Sequence, residues 1–194
     1  MKTILVTGAN GQLGQCLQEL SVSHSSMQFV FLNSKELDIT SKESVEKVFN
    51  NNNFDFCINC AAYTAVDIAE SEQAIAEKVN VLGVRYLAEA CKTYGAKLIH
   101  ISTDFVFDGN SNIPYTENQA TAPVSVYGKT KLEGENAIQA ILQEFFVLRT
   151  SWLYSEYGNN FVKTMLRLSK GRNELGVVSD QLGGPTYAKD LARV

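Results

Sequence analysis

Residues 3–14 read Thr3-Ile4-Leu5-Val6-Thr7-Gly8-Ala9-Asn10-Gly11-Gln12-Leu13-Gly14. Thr3–Thr7 is a short apolar run of the kind found in strands covered on both faces. It breaks into a glycine turn, and a helix is predicted from about Gly11 to Leu20. Gly8 permits the tight turn, Gly11 lets a pyrophosphate approach the backbone, and Gly14 lets the helix pack close on the sheet. Unpaired N–H groups at the helix start, aided by the helix dipole, favour phosphates there. A glycine triplet alone is weak evidence, and a tight loop without a ligand is its bland alternative. Strand, turn and helix in this order make dinucleotide binding the expectation.

Outward from this unit, strands and helices alternate. Strands are predicted at Met27–Leu32, Phe56–Cys60, Lys97–Ser102 and Phe145–Arg149. Thr40-Ser41-Lys42-Glu43 reads as a capping box opening a helix that runs to about Asn50. A long helix is expected from Ile68 to Tyr94, with Gly95 as its C-terminal cap, and another over Ser125–Glu144. Thr103–Pro123 is polar, rich in turn residues, and reads as a functional loop. This spacing predicts an α/β fold, a Rossmann-type doubly wound parallel sheet with helices on both faces. Ligands in such sheets bind at the carboxyl ends of the strands. The pattern changes after residue 150. The expected organisation is therefore a dinucleotide-binding domain over 1–150 and the incomplete start of a small substrate-binding portion over 151–194. In that portion Asn160–Lys170 is a predicted helix, Glu174–Val178 a predicted strand, Asp180–Thr186 a loop, and Asp190–Val194 the beginning of a helix.

The 194 residues carry a net charge of -4, 45% apolar and 20% charged residues, and no basic run, which argues against nucleic acid as a partner. No segment approaches the ~18–20 apolar residues needed to cross a bilayer. The apolar run at the N-terminus ends at once in the glycine turn, so no signal peptide is expected and the cytoplasm is the expected location, with no membrane partner. Cys57 and Cys60 form a CxxC, but within a strand residues three apart face opposite sides, and no second pair follows. Buried, unreactive thiols are expected. His24 and His100 stand apart from any acid cluster. His100, inside a predicted strand, reads as a core residue, and no metal site is expected.

Tyr127-Gly128-Lys129-Thr130-Lys131 is a YxxxK motif. Its tyrosine and lysine stand four apart on one helix and share a face. A free tyrosine has a pKa near ~10. A neighbouring ammonium favours the phenolate and lowers that value. Such a tyrosine can give a proton to a carbonyl oxygen while hydride reaches the carbon. A surface pair is the alternative for the motif alone. A third group should bond the reacting carbonyl, and Ser102-Thr103-Asp104 closes the fourth predicted strand.

The GxxGxxG spacing with YxxxK resembles the short-chain dehydrogenase/reductase superfamily. Several stretches together resemble one extended family within it, the dTDP-4-dehydrorhamnose reductases. They are Thr7–Gly14, Asn59–Asp67, Ser102–Gly109, Tyr127–Lys131, Leu148–Trp152 and Asp180–Thr186. The family reduces the C4 ketone of dTDP-4-dehydro-L-rhamnose with NADPH or NADH. By position, the resemblance implies Thr103, Tyr127 and Lys131 as the catalytic trio. It implies cofactor contacts at Gly8, Asn10, Gly11, Gln12, Leu13 and Gly14, at Asp38 and Ile39 beside the adenine, and at Ala61, Ala62, Tyr63 and Thr64 along the middle. Tyr127 and Lys131 join that set. Asn80 resembles the helix asparagine that buttresses the superfamily's active site. Thr103, Asp104 and Trp152 would touch the sugar, with Gln181 a weaker candidate and core packing the alternative for Trp152.

Two features depart from the superfamily's pattern. An acid is usual about 20 residues past the glycines, at a strand end, for the ribose 2′-OH. Here the stretch reads Leu32-Asn33-Ser34-Lys35-Glu36, and Lys35 is placed to meet a 2′-phosphate, so NADPH or dual use is expected. The family also continues for roughly another hundred residues that complete the sugar pocket. A dTDP-sugar is the expected partner. A homodimer stays open, as does Mg²⁺, which some members hold between subunits. Two alternatives are a nucleotide-sugar epimerase or dehydratase, and a non-catalytic regulatory homologue. The intact trio disfavours the second.

Overall fold

The computed structural model describes all residues 1–194. Five parallel strands form one sheet in the order β2-β1-β3-β4-β5, with β1 at Lys2–Thr7, β2 at Met27–Leu32, β3 at Phe56–Asn59, β4 at Lys97–Thr103 and β5 at Phe145–Thr150. Alternate residues of each strand serve opposite faces. Leu5, Cys57 and Leu98 face one layer, where Val45 and Phe49 from α2 (Lys42–Asn50), Leu87 and Cys91 from α5 (Val84–Tyr94) and Ile138 from α6 (Val126–Ile141) close the larger core. Ile4 and Val6 face the other, where Leu13 and Leu17 of α1 (Gln12–Ser21) and Leu191 of α8 (Ala188–Arg193) pack. The sheet is thus covered on both faces, as a doubly wound Rossmann-type fold requires. The chain runs from β1 outward to β2 and then back across β1 to β3. The crevice at the carboxyl ends of β1 and β3 is the topological switch point, where such folds place ligands.

Several elements depart from the sequence expectations. The helix expected over Ile68–Tyr94 is instead α3 (Val66–Ala69), α4 (Gln73–Glu77), a π-helical stretch at Lys78–Gly83, and α5. The last three run on without interruption, and Gly95 caps them in the left-handed conformation at φ 76°. The capping oxygen of α2 belongs to Ser41, which accepts from Ser44 N–H, and not to Thr40. Thr40 is engaged elsewhere, since its hydroxyl and N–H both donate to Asp38 Oδ1, at 2.7 and 2.9 Å.

Glu174–Val178 is irregular and not a strand. No neighbouring strand offers it hydrogen bonds, and Val178 is 64% exposed. The regular pairing of this region is a two-stranded parallel sheet of β6 (Leu153–Tyr154) and β7 (Thr186–Tyr187), too short to leave a periodic signature in the sequence. The helix expected at Asn160–Lys170 is α7 (Phe161–Leu168), with Asn160 as its N-cap. All four cysteines are free, and Cys57 and Cys60 lie against opposite cores, as the strand geometry requires. No helix is long and apolar enough to cross a membrane.

Backbone approach at the first turn is the tightest constraint in this half of the fold. A Cβ on Gly14 would stand 2.5 Å from the Gly8 carbonyl oxygen and 2.8 Å from Ala9 Cα, atoms with no freedom to yield. Gly14→Ala should therefore lose about 2–3 kcal/mol of unfolding free energy in a urea titration. Gly171→Ala, with nothing within 4 Å of its Cβ, should stay within about 0.5 kcal/mol of the parent.

Candidate active site

The glycine turn lies directly against the loop that leaves β3. Gly8 has φ 64°, and a Cβ there would fall 2.7 Å from Ala61 N and 2.8 Å from the Cys60 carbonyl carbon. Only glycine fits. Gly11 N–H donates to Gly8 O at 2.9 Å and closes the turn. Gly11 is also the N-cap of α1, with no side chain capping it, so the first N–H groups of that helix are unpartnered by any cap. Asn10 is exposed beside them, while Leu13 is packed in the core and offers only its backbone. The Gln12 carboxamide is already engaged: its oxygen accepts from Asn160 Nδ2 at 2.9 Å and Ser155 Oγ at 3.1 Å. It ties the start of α1 to the C-terminal segment and leaves the Gln12 N–H for an anion.

Asp38 and Ile39 follow β2. Hydrogen bonds from the Thr40 hydroxyl and N–H lower the Asp38 pKa. Ile39 is buried, with both its side chain and its carbonyl oxygen against Gly83. At the end of β2 the Glu36 carboxylate folds back to accept from Asn33 N–H at 3.0 Å. An acid thus does stand at this strand end, although its place in the sequence, three residues beyond, conceals it.

The loop Ala61–Thr64 is held from beneath by Asn80. Its Oδ1 accepts from Tyr63 N–H at 2.9 Å, and its Nδ2 donates to Tyr63 O at 3.1 Å and to Thr130 Oγ1 at 3.2 Å. Asn80 is 1% exposed and lies in the π-helical stretch. Its side chain is fully engaged, which makes it a support for the loop rather than a surface for a ligand. Thr64, at the far end of the loop, is exposed.

Tyr127 and Lys131 project from one face of α6, both buried, and Lys131 is 2% exposed. Its Nζ donates to Ile101 O at 2.7 Å and lies 3.2 Å from His100 Nε2. Thr103 closes β4 two residues before Phe105, whose ring meets Tyr127 edge-on at 5.6 Å. Its hydroxyl donates to Asp104 Oδ1 at 3.1 Å and accepts from Phe105 N–H at 3.2 Å. Ser102 points the other way and donates to Glu135. The trio Thr103, Tyr127 and Lys131 is therefore together at the carboxyl end of β4.

The electrostatics differ from the sequence expectation. Burial raises the Tyr127 pKa, the Thr103 side chain opposes that, and Asp104 adds to it. Lys131 does not figure in that balance, and its amine bonds the Ile101 carbonyl. Burial instead brings Lys131 itself down to about 8, against the pull of Glu135. Burial also raises Asp104.

Trp152 stands beyond the end of β5 with φ 47°, a conformation non-glycine residues seldom adopt, which marks it as a position held by its surroundings. Its ring meets Phe161 edge-on at 5.5 Å and lies so close to Gly183 that no side chain would fit there. Gln181 lies in the exposed loop nearby. No group of three or more His, Cys, Asp or Glu side chains is arranged to hold a metal ion.

Sequence reasoning missed two buried polar systems at this site. One joins Thr7, Asn59 and His100 to Lys131. The other is Glu135, which takes Arg149 through Nε at 3.1 Å and Nη2 at 2.6 Å, with the guanidinium 5.1 Å from the Phe107 ring centroid. The second had a signal: Glu135 lies four residues beyond Lys131, on the motif's own helix face.

Residues 1–194 match the family model described as the RmlD substrate binding domain. The chain belongs to the dTDP-4-dehydrorhamnose reductase family. It is 49% identical over 194 residues to the dTDP-4-dehydrorhamnose reductase of Aggregatibacter actinomycetemcomitans, covering 100% of this chain and 66% of that protein. It is 44% identical over 191 residues to that of Escherichia coli, covering 97% and 64%. The chain thus spans about two thirds of the length of these curated relatives. Among solved structures, a reductase of this family from Bacillus anthracis in complex with NADP superposes with a TM-score of 0.96 at 45% identity, covering 100% of this chain and 69% of that one. One from Clostridium acetobutylicum gives 0.95 at 47%, covering 98% and 68%. A UDP-glucose 4-epimerase from Thermotoga maritima, at 24% identity and a TM-score of 0.85, covers 98% and 71% and shares the fold.

The buried lysine gives stability a defined pH dependence. Below pH 8 both native and unfolded Lys131 are charged, and the native state bears the burial penalty. Between about 8 and the ordinary lysine value of 10.5 the native lysine releases its proton while the unfolded one keeps it, so native stability rises with pH. Urea titrations of the parent and Lys131→Met should show the parent gaining about 3 kcal/mol on the variant across that range.

Proposed function

We propose that this chain carries the cofactor-binding and proton-transfer portion of a reductase that converts the C4 ketone of dTDP-4-dehydro-L-rhamnose to the alcohol of dTDP-L-rhamnose. The observation that supports this most is the convergence of Thr103, Tyr127 and Lys131 at the end of β4, joined through buried side chains to the glycine turn at the end of β1. Residues 1–150 supply the cofactor unit in this reading, and residues 151–194 begin the substrate portion.

The residues present fit a nicotinamide dinucleotide. The uncapped start of α1 and the glycine at position 8, where a Cβ would fill the turn, form a cradle for a pyrophosphate. When bound, such a cofactor supplies a hydride to C4 of the sugar. Thr103 Oγ1 donates a hydrogen bond to the ketone oxygen and withdraws charge from it. Tyr127 gives its phenolic proton to that oxygen as the C=O bond becomes C–O–H. Its raised pKa keeps it in the acid form that this direction of reaction requires. Lys131, four residues on from Tyr127 on the same helix face, would hold the ribose of such a cofactor. Trp152 and Asp104 flank the sugar. The cofactor used is NADPH or both forms: Lys35 is exposed beside the end of β2 for a 2′-phosphate, and Glu36 at Asn33 offers an acceptor for a 2′-hydroxyl.

Two measurements test this reading. In the protein at the length of its relatives, NAD(P)H absorbance should fall with dTDP-4-dehydro-L-rhamnose and not with dTDP-glucose. Tyr127→Phe should slow the loss by about 10²-fold or more, and full activity in that variant would remove the tyrosine from the mechanism. Calorimetry should show NADPH bound at least as tightly as NADH. Lys35→Ala should weaken NADPH alone, and tighter binding of NADH by the parent would overturn the role given to Lys35.

A further inference from the structure

A line of buried side chains runs beneath the catalytic pair from β1 to α6. Thr7, Asn59, His100 and Lys131 are each at most 2% exposed. Thr7 Oγ1 donates to Asn59 Oδ1 at 2.6 Å, and Ala61 N–H is shared between that oxygen at 3.2 Å and Thr7 Oγ1 at 3.3 Å. A backbone N–H can only donate, and an amide NH₂ in its path would meet it hydrogen to hydrogen, so the Asn59 atom that shares this N–H with Thr7 Oγ1 is assigned as the oxygen. Asn59 Nδ2 therefore faces His100 Nδ1, at 3.0 Å, and donates to it. Nδ1 must be bare. A neutral imidazole with a bare Nδ1 carries its hydrogen on Nε2, the nitrogen 3.2 Å from Lys131 Nζ.

This polarity has a consequence for the lysine. An Nε2–H can donate to an uncharged amine, which has a lone pair, but meets an ammonium N–H hydrogen to hydrogen. The other bond of Nζ, to Ile101 O at 2.7 Å, accepts a donor from either form. We propose that His100 is a positioning residue which, held in its Nε2–H form by Asn59 and Thr7, opposes the ammonium form of Lys131 in the cofactor-free chain. The charge at Lys131 then becomes a feature acquired near neutral pH and not a standing one.

The other groups around Nζ are consistent with this. Burial holds the Cys60 thiol up at about 12, so it stays neutral. Glu135, on the lysine's own helix, is the anion that faces it, and Arg149 of β5 already engages both of its carboxylate oxygens. Tyr127, on the same helix, is held in its neutral acid form. Burial, and then Lys131, hold the His100 pKa well below its ordinary value, so the imidazole remains neutral.

The consequence for turnover rests on the reductase reading above, while the structural claim does not. The test therefore begins with the cofactor-free chain. Long-range ¹⁵N–¹H NMR should find His100 as the Nε2–H tautomer, and ¹³Cε NMR, assigned with Lys131→Met, should find Lys131 titrating near 8. His100→Gln offers an amide that can turn its oxygen to an ammonium, and should move the Lys131 titration up by about one unit. An Nδ1–H tautomer in the parent, or a Lys131 titration above 10 that His100→Gln leaves unmoved, overturns the proposal. In the protein at its relatives' length, the alkaline limb of kcat/KM should move up by the same unit in His100→Gln, a tenfold gain in rate at a fixed pH on that limb. A limb that stays in place while the NMR titration moves would separate His100 from turnover. Absence of any reductase activity with the NMR results intact would count against the reductase reading and leave the tautomer assignment standing.

Discussion

Lys131 is threaded between α6 and the sheet, and its amine ends on the carbonyl oxygen of Ile101. Nearly everything else at the site answers to that placement. Taking an ammonium out of water costs several kcal/mol unless it is bonded at its destination. The helix that carries it must therefore lie close to the sheet and in one register. Two glycines on α6 fix its position against the segments beside it. A Cβ at Gly128 would collide with Phe105 O, in the turn after β4, and one at Gly134 with Asn80 O, in the π-helical stretch, so α6 meets both neighbours backbone to backbone. The larger core, with Ile138 packed against β4 and α5, supplies the burial that offsets the lysine.

The π-helical stretch at Lys78–Gly83 belongs to the same arrangement. A helix with one wider turn presents a side chain that a regular helix would rotate away, and such turns recur at functional sites. Here the side chain is Asn80, which grips both backbone groups of Tyr63 and the Thr130 hydroxyl together. The loop after β3 and helix α6 are thereby tied through one amide. Buried polar groups are favourable only when satisfied, and each polar atom of Asn80 has its partner.

Glu135 and Arg149 form a second buried system, with Ser102 as the third member. A pair of this kind is weak evidence for stability, since desolvation can equal the attraction. Its geometric effect is more certain: the two-point bond between guanidinium and carboxylate joins α6 to β5 in one register, next to the face that carries Tyr127 and Lys131.

The fold and the shared helix face of Tyr127 and Lys131 were legible in the chain because both rest on local patterns, whereas Thr103 was named through the family resemblance. An apolar run, a glycine turn and a helix are contiguous, and a tyrosine and a lysine four apart share a helix face whatever surrounds them. Strand assignments were close for the same reason, because each of the five strands is a continuous run bounded by turn residues. What the sequence did not disclose depends on partners distant in the chain. Thr7, Asn59, His100 and Lys131 come from four elements, and only the parallel register of β1, β3 and β4 lines them up. His100 looked like a core residue, and it is one, but as a hydrogen-bonded member of a polar line. The same holds for pKa values. Proximity in sequence suggested a lysine that lowers its tyrosine, whereas burial raises one and lowers the other, and burial is set by tertiary packing. Local chemistry determined which elements form and which groups can react; only the assembled sheet decided what each buried group bonds to and which charge it carries.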